Sequence, residues 1–304
     1  MKDGRADVAS MPLAVPGRRS TPVADYVALT KPRLNLLVVA TSAAGYYLGA
    51  PAAGLDALLM LQTVAGTALV AGGAAVLNQV YERDTDALMR RTRMRPLPDG
   101  RVAPGDAKVF GMLLSAAGLV LLASRANLLA AALALVTLVT YLIVYTPLKR
   151  RTSLATLIGA VPGALPPLIG WAAAHGSVSI GGAALFAIVF LWQIPHFMAI
   201  AWLYRDDYGK AGFPLLPVIE PDGRRTGQQA LLYASALLPV SLVPAFVGVS
   251  GTIYLVVALV LGVLLLALSA RFALRRDDIS ARWLFFGSIT YLPLIWIAMI
   301  GNKL

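Results

Sequence analysis

Residues 57–100 read ALLMLQTVAGTALVAGGAAVLNQVYERDTDALMRRTRMRPLPDG, an apolar run that ends in a dense cluster of charges. The run from 57 to 80 carries no charged residue and exceeds the ~20 residues a helix needs to cross a bilayer. Glu82, Asp84 and Asp86 then arrive together, interleaved with and followed by Arg83, Arg90, Arg91, Arg93 and Arg95. If the helix continues, Asn78, Glu82 and Asp86 are spaced i, i+4, i+8, drifting only ~40° per step and rising ~6 Å each. One amide and two carboxylates therefore line one face at the end of a membrane helix. Carboxylates stacked in this way repel each other. A hard divalent cation with room for water relieves the repulsion, which suits Mg²⁺. Such ions commonly take their remaining ligands from substrate phosphates, and the nearby arginines, Arg83 among them, suit a diphosphate. A solvated helix end obeying the positive-inside rule would account for the arginines. It would not account for the shared face of Asn78, Glu82 and Asp86.

Outward from this stretch, the composition places the whole chain in the bilayer. Of 304 residues, 58% are hydrophobic and 13% charged, about half the charged content of a soluble domain. The net charge of +11 would suggest nucleic acid in a soluble protein; here it reads as positive charge facing the cytoplasm and anionic lipid, with no nucleic-acid partner. The absence of cysteine excludes disulfides and thiolate chemistry, and two histidines, His175 and His196, exclude a multi-histidine metal site. No cleavable signal peptide is visible before the first apolar run.

Residues 1–22 lack periodicity and are expected to form a disordered cytoplasmic tail, followed by a single integral membrane domain over 23–304. Residues 23–33, VADYVALTKPR, predict a short interfacial helix ending near Pro32. Lys31 and Arg33 then lie at the membrane surface, where topogenic anchoring and phosphate binding are both open to them. Nine apolar runs follow, at about 34–50, 57–80, 107–124, 127–146, 154–174, 181–203, 229–249, 252–271 and 283–301. Nine crossings put 24 of the 26 Lys and Arg residues on one side, with only Arg125 and Lys303 outside. By the positive-inside rule the N-terminus is cytoplasmic and the C-terminus lies on the opposite side. The loops after the second and sixth runs share the cytoplasmic side, four spans apart.

At Asn78 to Gly100 the chain resembles the UbiA-type intramembrane prenyltransferases, whose first acidic motif is N-x-x-x-(D/E)-x-x-x-D. Within them ERDTDALMRRTRMRPLPDG is similar to the haem-farnesylating branch, which usually has Asp where this chain has Glu82. LTKPR at 29–33, YTPLKRRT at 145–152 and WQIPHFMAIAWLYRDDYGKAGFPLLP at 192–217 resemble the same branch. The resemblance implies an all-α bundle of nine transmembrane helices around a central cavity open to the cytoplasmic face. It implies farnesyl transfer from farnesyl diphosphate to a vinyl group of haem b, giving haem O for respiratory oxidases, in a bacterial cytoplasmic (inner) membrane. It also implies terminal-oxidase or haem A synthase partners.

Residue by residue, the resemblance assigns Lys149 and Arg150 to the diphosphate. Tyr145 lies i, i+4 from Lys149 if the helix survives Pro147. Related prenyltransferases carry a second D-x-x-x-D where this chain has Tyr204 and Tyr208, which leaves Asp207 as the single acid expected opposite the first motif. Asn78, Glu82, Asp86 and Asp207 are thus the candidate catalytic and Mg²⁺-holding set. His196 lies ~16 Å deeper along the helix than Asp207. A lone intramembrane histidine is usually an interhelical contact. If the substrate is haem, a neutral imidazole is also an iron ligand, and Trp192 and Gln193 flank it. His175 has no such context. Two other functions remain open on the residues: prenylation of a phenolic quinone precursor, and an ion-coupled carrier. Against the carrier, the polar residues gather at one face and not at the midplane.

Overall fold

The computed structural model describes residues 21–51 and 54–304; of the tail expected at 1–22, residues 1–20 lie outside the described residues, while Thr21 caps the first helix and Pro22 opens it. Apart from one antiparallel bridge between Ser250 and Lys303, the described elements are helical. They are α1 (Pro22–Leu29), α2 (Pro32–Gly49), α3 (Ala57–Leu88), α4 (Pro104–Leu121), α5 (Leu128–Val139), α6 (Thr146–Leu148), α7 (Ala155–His175), α8 (Ile180–Leu203), α9 (Arg205–Lys210), α10 (Leu216–Ile219), α11 (Arg224–Phe246), α12 (Thr252–Arg275) and α13 (Asp278–Gly301). π-helical turns extend α4 through Leu122–Ala126 and join α5 to α6 through Thr140–Tyr145. The chain is a multi-pass membrane protein.

Among the described residues eight helical segments are long and apolar enough to cross a bilayer. The expected first span, at 34–50, is the exception. Its helix, α2, has 18 residues, or about 27 Å. Asn35, Thr41 and Ser42 interrupt its apolar character, and Thr41 and Ser42 are buried, with Ser42 hydrogen-bonded to Thr67 of α3 at 3.3 Å. Polar side chains are tolerated in this helix because α3 and α7, not lipid, cover them. α2 crosses α7 so closely that a Cβ on Gly45 or Gly170 would strike the facing backbone.

The helices pack in two groups. α2, α3 and α5 pack against α7, with α4 on α3, and α8, α11, α12 and α13 close on one another, with α7 against α8 and α13 touching α2. Between them lies a core of Trp171, Leu185, Ile188, Trp192, Tyr254, Leu284 and Tyr291. α3, at 32 residues, is about 48 Å long, well beyond a ~30 Å hydrocarbon layer. Its last turns therefore carry Glu82 and Asp86 clear of the apolar core. α1 lies across this end: Leu29 packs with Val76, Leu97, Val102 and Ala107, and the Asp25 carboxylate takes Arg101.

α8 ends where the sixth apolar run ends. It stops at Leu203, where Tyr204 (φ −114°, ψ 20°) leaves helical geometry, so Asp206 and Asp207 open the separate helix α9 instead of ending α8. Two clefts stand out among the described residues. One, of about 300 Å³, lies beside Arg83, Asp84 and Leu97. The other, of about 780 Å³, lies at the opposite end, against Trp171, His175 and Lys303.

Candidate functional site

The Asn78, Glu82 and Asp86 face exists as the spacing predicts. The three side chains project from one side of α3 and are nearly sealed, at 2%, 6% and 1% exposure. Isolated charges at such burial are very costly, so each must find a counter-charge. Lys149 Nζ lies 3.2 Å from Glu82 Oε1 and 3.4 Å from Oε2. Arg95 Nη1 lies 2.7 Å from Asp86 Oδ2. Lys31 Nζ donates to Asn78 Oδ1 at 3.4 Å, and Asn78 Nδ2 donates to Thr146 Oγ1 at 3.1 Å. Each carboxylate thus meets one cation, and a third cation, Lys31, meets the Asn78 amide, which in turn holds Thr146.

Each cation is placed by local structure. Lys31 stands just ahead of α2 in a left-handed conformation (φ 50°, ψ 57°), a state that costs a non-glycine residue ~1–3 kcal/mol. Pro32 disfavours the right-handed alternative for the residue before it. Asn35 Nδ2 holds the Thr30 carbonyl at 2.5 Å and completes the turn. Strain kept in this way at a polar cluster points to a positional need. Lys149 depends on Pro147. Proline removes one helical donor and crowds the preceding turn, and the chain answers with the wider π turn at Thr140–Tyr145. The helix survives: Lys149 N bonds to Tyr145 O at 2.9 Å, and the Tyr141 and Tyr145 rings stack at 5.4 Å. The Lys149 ammonium also lies 4.5 Å from the Phe213 ring centre. Arg95 comes back from the loop after α3, which Thr92 Oγ1 ties to the Asp86 carbonyl at 2.7 Å.

The opposite wall forms at the level of segments. Met89 packs with Ala201, Phe213 and Tyr208, and Arg91 lies 5.7 Å from the Tyr204 ring centre. The chain after α3 therefore meets the chain after α8, as the shared cytoplasmic face predicts. Asp207 stands half-buried on α9, one residue before Tyr208. Among the described residues no three His, Asp or Glu side chains are gathered closely enough to hold a metal ion by themselves.

Other predicted residues lie elsewhere. Arg83, one position and so ~100° from Glu82, pairs with Asp84 at 3.0 Å on the surface. Arg33 and Arg150 are exposed. The aromatic and histidine group divides. Gln193 faces α7, donating to the Ala160 carbonyl at 3.2 Å. Trp192 and His196 face α13. The sequence reading missed Arg95 as a partner of Asp86, Thr146 as a partner of Asn78, and the Phe213 ring beneath Lys149. Arg95 stood among five candidate arginines with nothing local to single it out.

The sequence matches the model of the UbiA prenyltransferase family over residues 37–291. This chain belongs to the UbiA prenyltransferase family. A relative from Solibacter usitatus named protoheme IX farnesyltransferase is 49% identical over 287 residues, covering 92% of this chain and 98% of the relative. A second of that name, from Koribacter versatilis, is 44% identical over 305 residues, covering 97% and 98%. Solved UbiA-like structures share the fold at low identity. A digeranylgeranylglyceryl phosphate synthase superposes with a TM-score of 0.79 at 18% identity, over 92% of this chain and 98% of that one. A UbiA homolog from Archaeoglobus fulgidus bound to DMAPP and Mg²⁺ superposes at 0.62 and 18% identity, over 91% and 99%. In this UbiA member the acidic face of α3 and its three cations thus sit within a fold that accommodates a prenyl diphosphate and a divalent ion elsewhere in the family.

Proposed function

We propose that this protein transfers the farnesyl group of farnesyl diphosphate to a vinyl group of haem b, giving haem O, in a bacterial cytoplasmic membrane. The observation that carries the site is the convergence of Lys31, Lys149 and Arg95 on Asn78, Glu82 and Asp86. The substrate follows from relatives at 44–49% identity over nearly the whole chain.

The donor set suits Mg²⁺: two carboxylates and an amide, all hard oxygen ligands on one face. Among the described residues too few acids are gathered to complete a metal site, and an ion here would take its other ligands from the substrate. Asn78, Glu82 and Asp86, with Asp207 from the facing segment, would hold it; bound there, it would neutralise charge on the departing diphosphate. Lys149 and Lys31 hold the diphosphate oxygens, with Arg95 releasing Asp86 to join them and Arg150 at the mouth. The surplus of cations over carboxylates favours an anion in this position.

Breaking the allylic C–O bond leaves a farnesyl cation and a more highly charged diphosphate, which the basic residues stabilise as charge develops. The stacked Tyr141 and Tyr145 rings border this space and keep water from the cation. The π electrons of the haem vinyl group form the new C–C bond, and water then adds to the other vinyl carbon with loss of a proton. Positive charge on one set of loops orients the protein with its N-terminus in the cytoplasm and its C-terminus opposite.

The test is incubation of purified protein in nanodiscs with haem b, farnesyl diphosphate and Mg²⁺, followed by chromatography of the haems. A farnesylated haem absent from the metal-free control is expected. Recovery of haem b alone from protein that binds both substrates would remove the proposal.

A further inference from the structure

His196 sits in an enclosure that fixes more than its position. Its ring is stacked on Trp192 at 4.9 Å and 17° and on Phe285 at 5.3 Å and 20°. The two aromatic neighbours hold the plane of the ring. Its Nδ1 lies 2.8 Å from Ser288 Oγ, and Ser288 Oγ lies 2.7 Å from the Phe285 carbonyl oxygen. These two short contacts share one hydroxyl proton. The carbonyl can only accept, so the serine proton goes to Phe285 O, and the proton between Nδ1 and Oγ must come from the imidazole. The same residue holds the stacking partner, since Trp192 Nε1 donates to the Ser288 carbonyl at 2.7 Å.

We propose that Ser288 is a positioning residue that fixes His196 as the Nδ1–H tautomer and so presents the bare Nε2 as the nitrogen that ligates haem iron. With Nδ1 occupied, Nε2 is the ring nitrogen left to take a ligand; Phe197 flanks the imidazole at 5.9 Å and 70°, and His196 is only partly buried. Metal-bound histidines show the same arrangement: the second ring nitrogen donates to an oxygen that sets tautomer and orientation. Gln193, turned toward α7, takes no part in this face. The tautomer belongs to the protein alone; its use as an iron ligand rests on the proposed haem substrate.

The chain contains two histidines, so ¹⁵N-histidine labelling gives two imidazoles, and His175→Gln assigns them. In the wild-type protein in nanodiscs, NMR should show His196 with Nδ1 protonated and Nε2 bare. A proton on Nε2 overturns the proposal. Ser288→Ala should release this preference and Ser288→Thr, which keeps the hydroxyl, should retain it. Haem b titration followed in the Soret band should then weaken roughly tenfold in Ser288→Ala, as for other outer-shell partners. His196→Ala should lose the imidazole-ligated spectrum, and farnesyl diphosphate binding should be unchanged in both. If Ser288→Ala binds haem as the wild type does while the wild type forms haem O, the role of Ser288 fails and the proposed reaction stands. If the wild type binds no haem b, the iron-ligand role and the proposed substrate fail together.

Discussion

Replacing Lys149 with Met should separate what this residue does for stability from what it does for turnover. Met keeps the apolar stem and deletes the ammonium. Glu82, with its side chain 7% exposed, then loses the cation that contacts both its oxygens at 3.2 and 3.4 Å. Breaking one side of a buried pair costs ~3–5 kcal/mol, and Lys31 nearby argues for the lower end, ~3 kcal/mol. For a chain of 304 residues, at ~2.1 cal/mol/K of unfolding entropy per residue, that is a fall in Tm of about 5 °C. Loss of a group that stabilises charge developing on the diphosphate should also lower kcat by ~10²–10³-fold. The double variant Glu82→Gln/Lys149→Met removes both charges and should regain most of the lost Tm while staying inactive. Thermal unfolding in one detergent and chromatography of the haems read the two effects separately. A Lys149→Met protein with unchanged Tm and more than half of wild-type turnover would refute the reasoning.

Glu82→Gln and Asp86→Asn should each lower transfer at least ~10²-fold while leaving membrane insertion intact, as measured by the same assay and by detergent-extracted yield. Burial, followed by the neighbouring Arg95, holds the Lys31 ammonium down to about 8. Its charge is therefore lost as pH rises through about 8, and farnesyl diphosphate affinity should fall over that range in titrations of the metal-free protein. Lys31→Arg should abolish the decline. The linked stability runs the other way: between about 8 and the ordinary lysine value of ~10.4 the unfolded chain binds more protons, so this group's contribution to stability rises with pH. Gly170→Ala should lower Tm because the added Cβ meets the Ser42 carbonyl at the α2–α7 crossing, while the exposed Gly105→Ala should leave it unchanged.

The acidic face was legible because helical period alone brings residues 78, 82 and 86 together. The same period puts Arg83 off that face and Gln193 off the side of Trp192 and His196, but the sequence reading grouped them by adjacency, and the structure separates them. The apolar runs made the eight long spans legible, though α2 is polar enough to need α3 and α7 as neighbours, a fact of packing invisible in composition. Long-range partners were not legible. Lys149 meets Glu82, and Arg95 meets Asp86, only because loops fold back over the helix ends. The π turn that aims Lys149 is a response to Pro147 that a sequence-based helix pattern treats as a doubtful break. The end of α8 follows the end of the sixth apolar run, though no proline or glycine marks it.

The most direct measurement is a structure of the protein with Mg²⁺ and the unreactive analogue farnesyl thiodiphosphate. The diphosphate is expected between the α3 face and the α9 segment, with Lys149 moved off Glu82 onto a phosphate oxygen and the Asp207 carboxylate turned toward the same group. Density for the diphosphate beside Arg83 and Asp84, or an intact Lys149–Glu82 pair with Asp207 facing solvent, would contradict the account.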